Sequence, residues 1–247
     1  MRKPLFLALF IVFNIQTYSQ TNSDNSYGRA YYGKSIDLVN EKEIPLSDVE
    51  KFIIKATENA QFILDFDNES ALFQLEKKME IDGRNTRGAE TLYGGGKGVY
   101  YSNRSDNYMV HQRDFGGELY LIEGEFTSVQ WNLLKESKKI QDYTCYKAVG
   151  TKRFLSSQTG EFTLREVEAW YTPEIPLPFG PLGYNNLPGL ILELKDNNAV
   201  YYLKEIRFDK QENFNISKPE KGIKISETEF EQLGKKLFEE KKQQRKI

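Results

Sequence analysis

The chain has 247 residues, of which 39% are hydrophobic, 13% aromatic and 28% charged, enough apolar material for a real core. Its net charge of −2 provides no global field that would draw nucleic acid or a membrane surface. With one cysteine, Cys145, and one histidine, His111, an internal disulfide is excluded and a standard zinc site very nearly so.

The first 19 residues read as a secretory signal peptide. Arg2 and Lys3 form a basic start, and Leu5 to Phe13 an apolar run. Thr17 and Ser19 then put small residues three before and one before a cut ahead of Gln20. The run of nine is too short for a membrane-spanning helix, which needs about 20 residues. No later segment is long and apolar enough to span, and no cysteine near the cut could accept a lipid. The expectation is a periplasmic protein that is not a lipoprotein. After signal cleavage it has no transmembrane segment, and residues 20–247 form a single β domain.

Gly28 to Ile36 reads as a strand. Ser47 with Glu50 is a capping box, and it opens a short helix whose face Leu46, Val49, Phe52, Ile53, Ala56 and Ala60 should bury. Phe62, Leu64 and Phe66 alternate, Asp67-Asn68 turns the chain, and Phe73 and Leu75 return it. Asp82 to Gly98, with Gly94-Gly95-Gly96 in its middle, reads as a mobile loop; it lacks the spacing of a phosphate-binding loop. Val99 to Ser102 is a strand. Tyr108 to Arg113 and Glu118 to Glu123 form a hairpin closed by Gly116-Gly117. His111 has polar neighbours and reads as a surface residue.

Val129, Trp131 and Leu133 alternate next. Tyr143 to Val149 and Phe162 to Tyr171 are strands joined by a polar turn at Ser156 to Gly160, with Cys145 as a small buried hydrophobe. Pro173, Pro176, Pro178 and Pro181 make an ordered loop that cannot supply a regular ladder. Leu187-Pro188-Gly189 is a turn that launches the Leu190 to Leu194 strand. This strand pairs with Val200 to Phe208 around Asp196-Asn197-Asn198. Ser226 and Glu229 form a second capping box. The helix it opens carries the stripe Phe230, Leu233, Leu237 and Phe238 and ends in a basic tail from Lys235 to Lys246. Hairpins rather than alternating helices and strands predict a mainly β fold. The expected form is a large curved antiparallel sheet, a half-barrel, with a short helix in the N-terminal half and a C-terminal helix.

Three stretches stand out: Trp131-Asn132-Leu133 continuing through Tyr143 to Ala148; Ala169-Trp170-Tyr171-Thr172-Pro173-Glu174-Ile175-Pro176; and Gly180-Pro181, Tyr184 and Asn186 to Glu193. Together they resemble the GLPGLI family of exported Bacteroidetes-type proteins. Asn186 stands where the family has its first glycine, and Asn is the next best residue for left-handed backbone. The resemblance implies export, a fold similar to curved-sheet lipoprotein carriers, and encoding near TonB-dependent outer-membrane receptors. It implies no established enzymatic activity.

The residues support two uses of this region. Leu187-Pro188-Gly189 and its surroundings form either a rigid crossover packed on Trp170 or a binding rim. The rim would comprise Trp170, Tyr171, Pro173, Gly180, Pro181, Tyr184, Leu187, Pro188 and Gly189. No nucleophile elbow or dinucleotide fingerprint is present, and no cofactor is expected. The acids Asp65, Asp67, Glu136, Asp142, Glu168, Glu174 and Glu193 leave a carboxylate-dependent hydrolase open. The leading expectation is a non-catalytic envelope protein that binds a small apolar or peptide ligand, or an outer-membrane receptor or other envelope partner. A purely structural subunit of an outer-membrane complex is the other alternative. N-terminal sequencing of exported material should read Gln20 first; an intact Met1 would contradict the processing.

Overall fold

The computed structural model describes residues 27–36, 47–76, 96–156, 159–209, 214 and 216–244. The signal segment, Leu46, residues 82–95 of the glycine-rich loop and the last three residues of the basic tail lie outside them.

The strands are β1 Tyr27–Ile36, β2 Phe62–Phe66, β3 Ser70–Leu75, β4 Val99–Asn103, β5 Tyr108–Phe115, β6 Glu118–Gly124, β7 Trp131–Ile140, β8 Tyr143–Leu155, β9 Phe162–Thr172, β10 Leu190–Asp196, β11 Ala199–Asp209 and β12 Ile223–Ser226. The helices are α1 Asp48–Glu58 and α2 Glu227–Gln244. The twelve strands among the described residues form one sheet in the order β12-β6-β5-β4-β3-β2-β1-β11-β10-β9-β8-β7. Neighbouring strands are antiparallel, except that β12 runs parallel to β6, from Ile223 beside Tyr120 to Ser226 beside Glu123. The expected antiparallel half-barrel is therefore a mixed sheet with one parallel edge. A strand of four residues with only two apolar side chains gave no sequence signal of its own.

Local chemistry places the turns. Asp67 Oδ1 accepts from the Glu69 and Ser70 amides, 2.7 Å each, and turns β2 into β3. Gly116 and Gly117, at φ 66° and 89°, supply the left-handed pair between β5 and β6. Ser47 and Glu50 form both bonds of their capping box, and Ser226 and Glu229 repeat the arrangement. The N-terminal helix buries Ile53 and Ala56, and Ala60 just beyond its end is buried too, but Val49 and Phe52 are exposed. Every residue of β2 is buried, so both of its faces are covered. The charge this puts inside, Asp65, is met by Arg29 through two bonds of 2.5 and 2.8 Å.

The sheet is curled by a loop. Residues 173–189 are neither strand nor α-helix; they hold a 3-10 turn at Pro181–Gly183 and lie mostly buried. Asn185 Nδ2 donates to Ser102 Oγ in β4 at 2.9 Å, and the Asn185 carbonyl accepts from Trp131 Nε1 in β7 at 2.8 Å. Those strands stand eight places apart in the sheet, about 38 Å if it were flat at roughly 4.8 Å per strand. One residue can touch both only if the sheet wraps around it. Bulges between Tyr31 and Tyr32 in β1, Leu133 and Ser137 in β7, and Ile191 and Glu193 in β10 add the needed bend. The core of the wrap includes Tyr32, Phe62, Phe73, Phe179, Tyr184 and Tyr201.

Four residues of the loop have positive φ, Leu182, Gly183, Asn186 and Gly189, and the last two bear on the turn into β10. Asn186 sits at φ 70°, the left-handed position for which it stands in place of glycine. Gly189 has φ 157°, and a Cβ there would lie 2.0 Å from the Thr172 carbonyl oxygen. No neighbour can yield, because the obstacle is backbone. Gly189→Val should lower stability by at least about 1–3 kcal/mol from backbone strain alone, read as a lower melting temperature. An unchanged melting temperature would mean that the turn is not clamped against β9.

Candidate ligand-binding site

Curling brings β5 and β6 opposite β8 across a gap that no strand pairing closes. The gap is a cavity of about 740 Å³. Its walls are His111, Arg113 and Phe115 from β5, Ile122 from β6, Val129 before β7, and Thr151 to Leu155 of β8. Helix α2 roofs it. Short strand β12 anchors the start of the helix beside β6. Phe230 then packs edge-on against Phe115 at 5.0 Å and Tyr120 at 5.7 Å. On the far side Glu231 meets Arg153 of β8 at 3.6 Å, Lys235 meets Glu161 at 3.5 Å, and Phe238 lies over Gly160.

This explains an oddity of α2. It is amphipathic, yet none of its residues is buried. Every third or fourth residue from Glu227 to Lys241, including Phe230, Gly234, Leu237 and Phe238, faces the cavity. Of the apolar stripe read from the sequence, Phe230 packs on Phe115 and Tyr120 at the cavity's edge, and Leu237 and Phe238 also face the cavity.

His111 is half-buried and lines the cavity rather than the outer surface. Strand alternation turns it to the same face as Arg113 and Phe115, and its ring stacks on Tyr100 at 3.8 Å and 14°. His111 Nε2 lies 2.8 Å from the Lys97 carbonyl oxygen. A carbonyl only accepts, so Nε2 carries the proton and Nδ1 is the bare nitrogen of the neutral ring. Burial pushes its pKa down to about 3. The Lys97 bond opposes that shift, and the charges of Arg113 and Lys152 add to it.

Below the cavity is a buried polar set. Tyr184 Oη donates to Asp196 Oδ2 at 2.8 Å, Arg165 pairs with Asp196 at 2.6 Å, and Lys152 Nζ stands 4.9 Å from the Tyr184 ring centre. Burial foremost, then the Asp196 carboxylate, hold the Tyr184 phenol well above its ordinary pKa. Tyr184 is therefore a fixed donor.

Of the nine rim residues, Trp170, Tyr171, Gly180, Pro181, Tyr184, Leu187 and Gly189 are buried, while Pro173 and Pro188 are exposed. Trp170 donates its indole N–H to Glu168 at 2.9 Å and lies under Lys138 at 4.2 Å and Lys147 at 5.7 Å. Gly180 abuts Ile191 and the Tyr184 carbonyl. Among the described residues these nine shape the loop inside the sheet, and none lines the cavity. The juxtaposition of two lining cations, Arg113 and Lys152, escaped sequence reading because they come from strands far apart in the chain.

Most of the acids are engaged by cations or amides. Asp65 is taken by Arg29, Glu193 by Lys138 at 2.7 Å, and Glu136 and Glu168 share Lys147. Glu174 accepts from the Thr144 amide. Burial disfavours the charged form of Glu168, but the Lys147 ammonium and the Trp170 N–H outweigh it and hold its pKa below the usual carboxylate range. Among the described residues no three His, Cys, Asp or Glu side chains gather as metal ligands. Burial pushes the Cys145 thiol up to about 11, which keeps it protonated and unreactive at neutral pH.

A family model described as "Protein of unknown function (Porph_ging)" matches residues 131–193. That is about a quarter of the chain, running from β7 through the buried loop into β10. The chain is also similar to two crystal structures of PNGF-II. In space group C2 the identity is 15% and the TM-score 0.49, covering 85% of this chain and 32% of that one. In space group P21 the figures are 17%, 0.47, 85% and 33%. The chain thus spans about a third of the length of PNGF-II. No curated protein matches.

The neutral His111 makes a pH prediction. An unfolded chain takes up a proton on histidine near its ordinary pKa of 6.5, whereas the folded chain waits until about 3. The stability this residue contributes is full above about pH 6.5 and drains away as pH falls toward 3. His111 is the single histidine, so urea midpoints at about pH 7.5 and about pH 5 isolate it well. The midpoint should fall on acidification, and fall less in His111→Phe, which keeps a ring on Tyr100. Equal falls would show that His111 is solvated.

Proposed function

We propose that this chain is a non-catalytic binding protein of the cell envelope, which holds a small apolar molecule between the sheet and α2. The observation that carries the reading is the helix. An amphipathic α2 whose apolar stripe faces about 740 Å³ of space is left without the burial that normally holds a helix in place. A molecule in that space would supply it. The volume falls within the roughly 300–1,000 Å³ of ligand sites, and the wall combines large apolar side chains such as Phe115, Ile122, Phe154, Leu155 and Leu237 with polar and charged groups.

The neutralised carboxylates favour this over a hydrolase. The signal-like N-terminus supports an envelope location. The family resemblance supports membership of the GLPGLI group and an outer-membrane receptor as the ligand's source or destination.

Gly234 offers a direct test. It faces the cavity from α2, and a Cβ there meets only Leu155 Cδ2 at 3.4 Å, an ordinary contact. Gly234→Trp should fill the space from the helix side without unfolding the chain, since glycine is already the poorer helix residue by about 1 kcal/mol. The wild type should bind a neutral naphthylamine fluorophore with enhanced emission, and Gly234→Trp should lose about tenfold or more of that affinity, about 1.4 kcal/mol. Undiminished dye binding in the variant, or no binding by the wild type, would sink the reading.

A further inference from the structure

We propose that the molecule in the cavity is a single-chain amphiphile with a compact anionic head, seated with its head between Arg113 and Lys152 and its chain beneath α2. The inference rests on the binding role above and adds the ligand's chemical class.

The charge pattern points to the head. Elsewhere in the fold the half-buried cations are matched: Arg29 to Asp65, Arg165 to Asp196, Lys138 to Glu193, Lys147 to Glu168. Two of the cations in the cavity wall, Arg113 and Lys152, are not. Arg113 Nε is buried and has no hydrogen-bond acceptor among the described residues. The guanidinium is instead held between the rings of Phe115, at 5.8 Å, and Phe230, at 5.6 Å. Lys152 rests its ammonium on the face of Tyr184, with no carboxylate at ion-pair distance among the described residues. A buried donor such as Arg113 Nε ordinarily has an acceptor.

The carboxylates that do line the cavity are placed or occupied elsewhere. Glu231 is engaged by Arg153, and Glu227 sits at the first turn of α2 against Gly124. Neutral His111, stacked beside Arg113 on the same strand face, adds no competing charge. A carboxylate or phosphate between Arg113 and Lys152 would accept charge-assisted bonds from both.

The rest of the cavity suits one apolar chain. Its lining stripe from Glu227 to Lys241 extends about 21 Å along α2 at ~1.5 Å per residue. Phe230, Leu237 and Phe238 on the helix face Phe154 and Leu155 of β8 across it. A long acyl chain presents that length as a narrow apolar rod, whereas a compact polar metabolite would leave the far end empty.

Displacement of the neutral fluorophore from the full chain by palmitic acid, hexadecyl phosphate and hexadecanol tests the head. The acid or the phosphate should displace dye at a concentration about tenfold or more below that of the alcohol, as expected for charge-assisted bonds. The tighter of the two distinguishes a fatty-acid carboxylate from a phosphorylated lipid head. Lys152→Met, and Arg113→Leu with it, should abolish the preference of the acid or the phosphate over the alcohol. The comparison within the wild type stands even if a variant fails to fold. Equal displacement by all three compounds would overturn the anionic head and leave the cavity reading intact. Dye that binds but is displaced by none of the three would overturn the single chain. A protein that binds no dye would overturn both.

Discussion

The fold depends on one buried residue that joins two distant strands. Asn185 bonds through its side chain to Ser102 in β4 and through its carbonyl to Trp131 in β7. A sheet of twelve strands has no intrinsic reason to bring those two together, since its own ladders act only between neighbours. The constraint is that the chain between β9 and β10 is too apolar to leave in water and too rich in proline to join the sheet. It goes inside instead, and the sheet closes over it. Its backbone is satisfied there by specific partners: Ile191 donates to the Phe179 carbonyl at 3.0 Å, Leu190 to that of Ile175 at 3.0 Å, and Asn186 to that of Pro178 at 3.0 Å. Tyr32 reaches across from β1 to the Ile191 carbonyl at 2.7 Å.

The cavity follows from the same constraint. Wrapping around a plug of fixed size brings the two margins of the sheet near each other but leaves their polar edges unpaired. On one side β12 and β6 end the sheet, on the other β7 and β8. The loop fills the interior below the level of Tyr184, and α2 spans the opening above it. The helix is held mainly at its margins, by Phe230 against β5 and β6 and by Glu231, Lys235 and Phe238 against the β8–β9 end. Its middle covers space. A helix so attached leaves a chamber whose walls belong to three strands and whose roof is one element, an arrangement that lets a ligand complete the packing.

Much of the frame was legible in the sequence because it is written in local chemistry. Both capping boxes, the glycine pair at 116–117, the Asp67 turn and the left-handed Asn186 each follow from one or two residues acting on their own backbone. What was not legible required knowing which strands face one another. His111 sits among polar neighbours, but its surroundings are set by Tyr100 and by β8 forty residues on. Val49 and Phe52 keep helical spacing with the buried face and are exposed nonetheless, because the surface α1 covers reaches only Ile53, Ala56 and Thr57. The stripe on α2 was visible in the sequence, but its outlook onto a cavity was not, since periodicity reports which face is apolar and says nothing of what it meets. The parallel pairing of β12 was invisible for the same reason.

The central claim is that the space under α2 is a ligand site. Paramagnetic broadening of amide resonances by a fatty acid spin-labelled along its chain tests it most directly. The account predicts broadening concentrated in β5, β8 and the cavity-facing turns of α2, with β1, β2 and α1 unaffected. Broadening centred on the exposed Val49 and Phe52 of α1, or spread evenly over the surface, would contradict it.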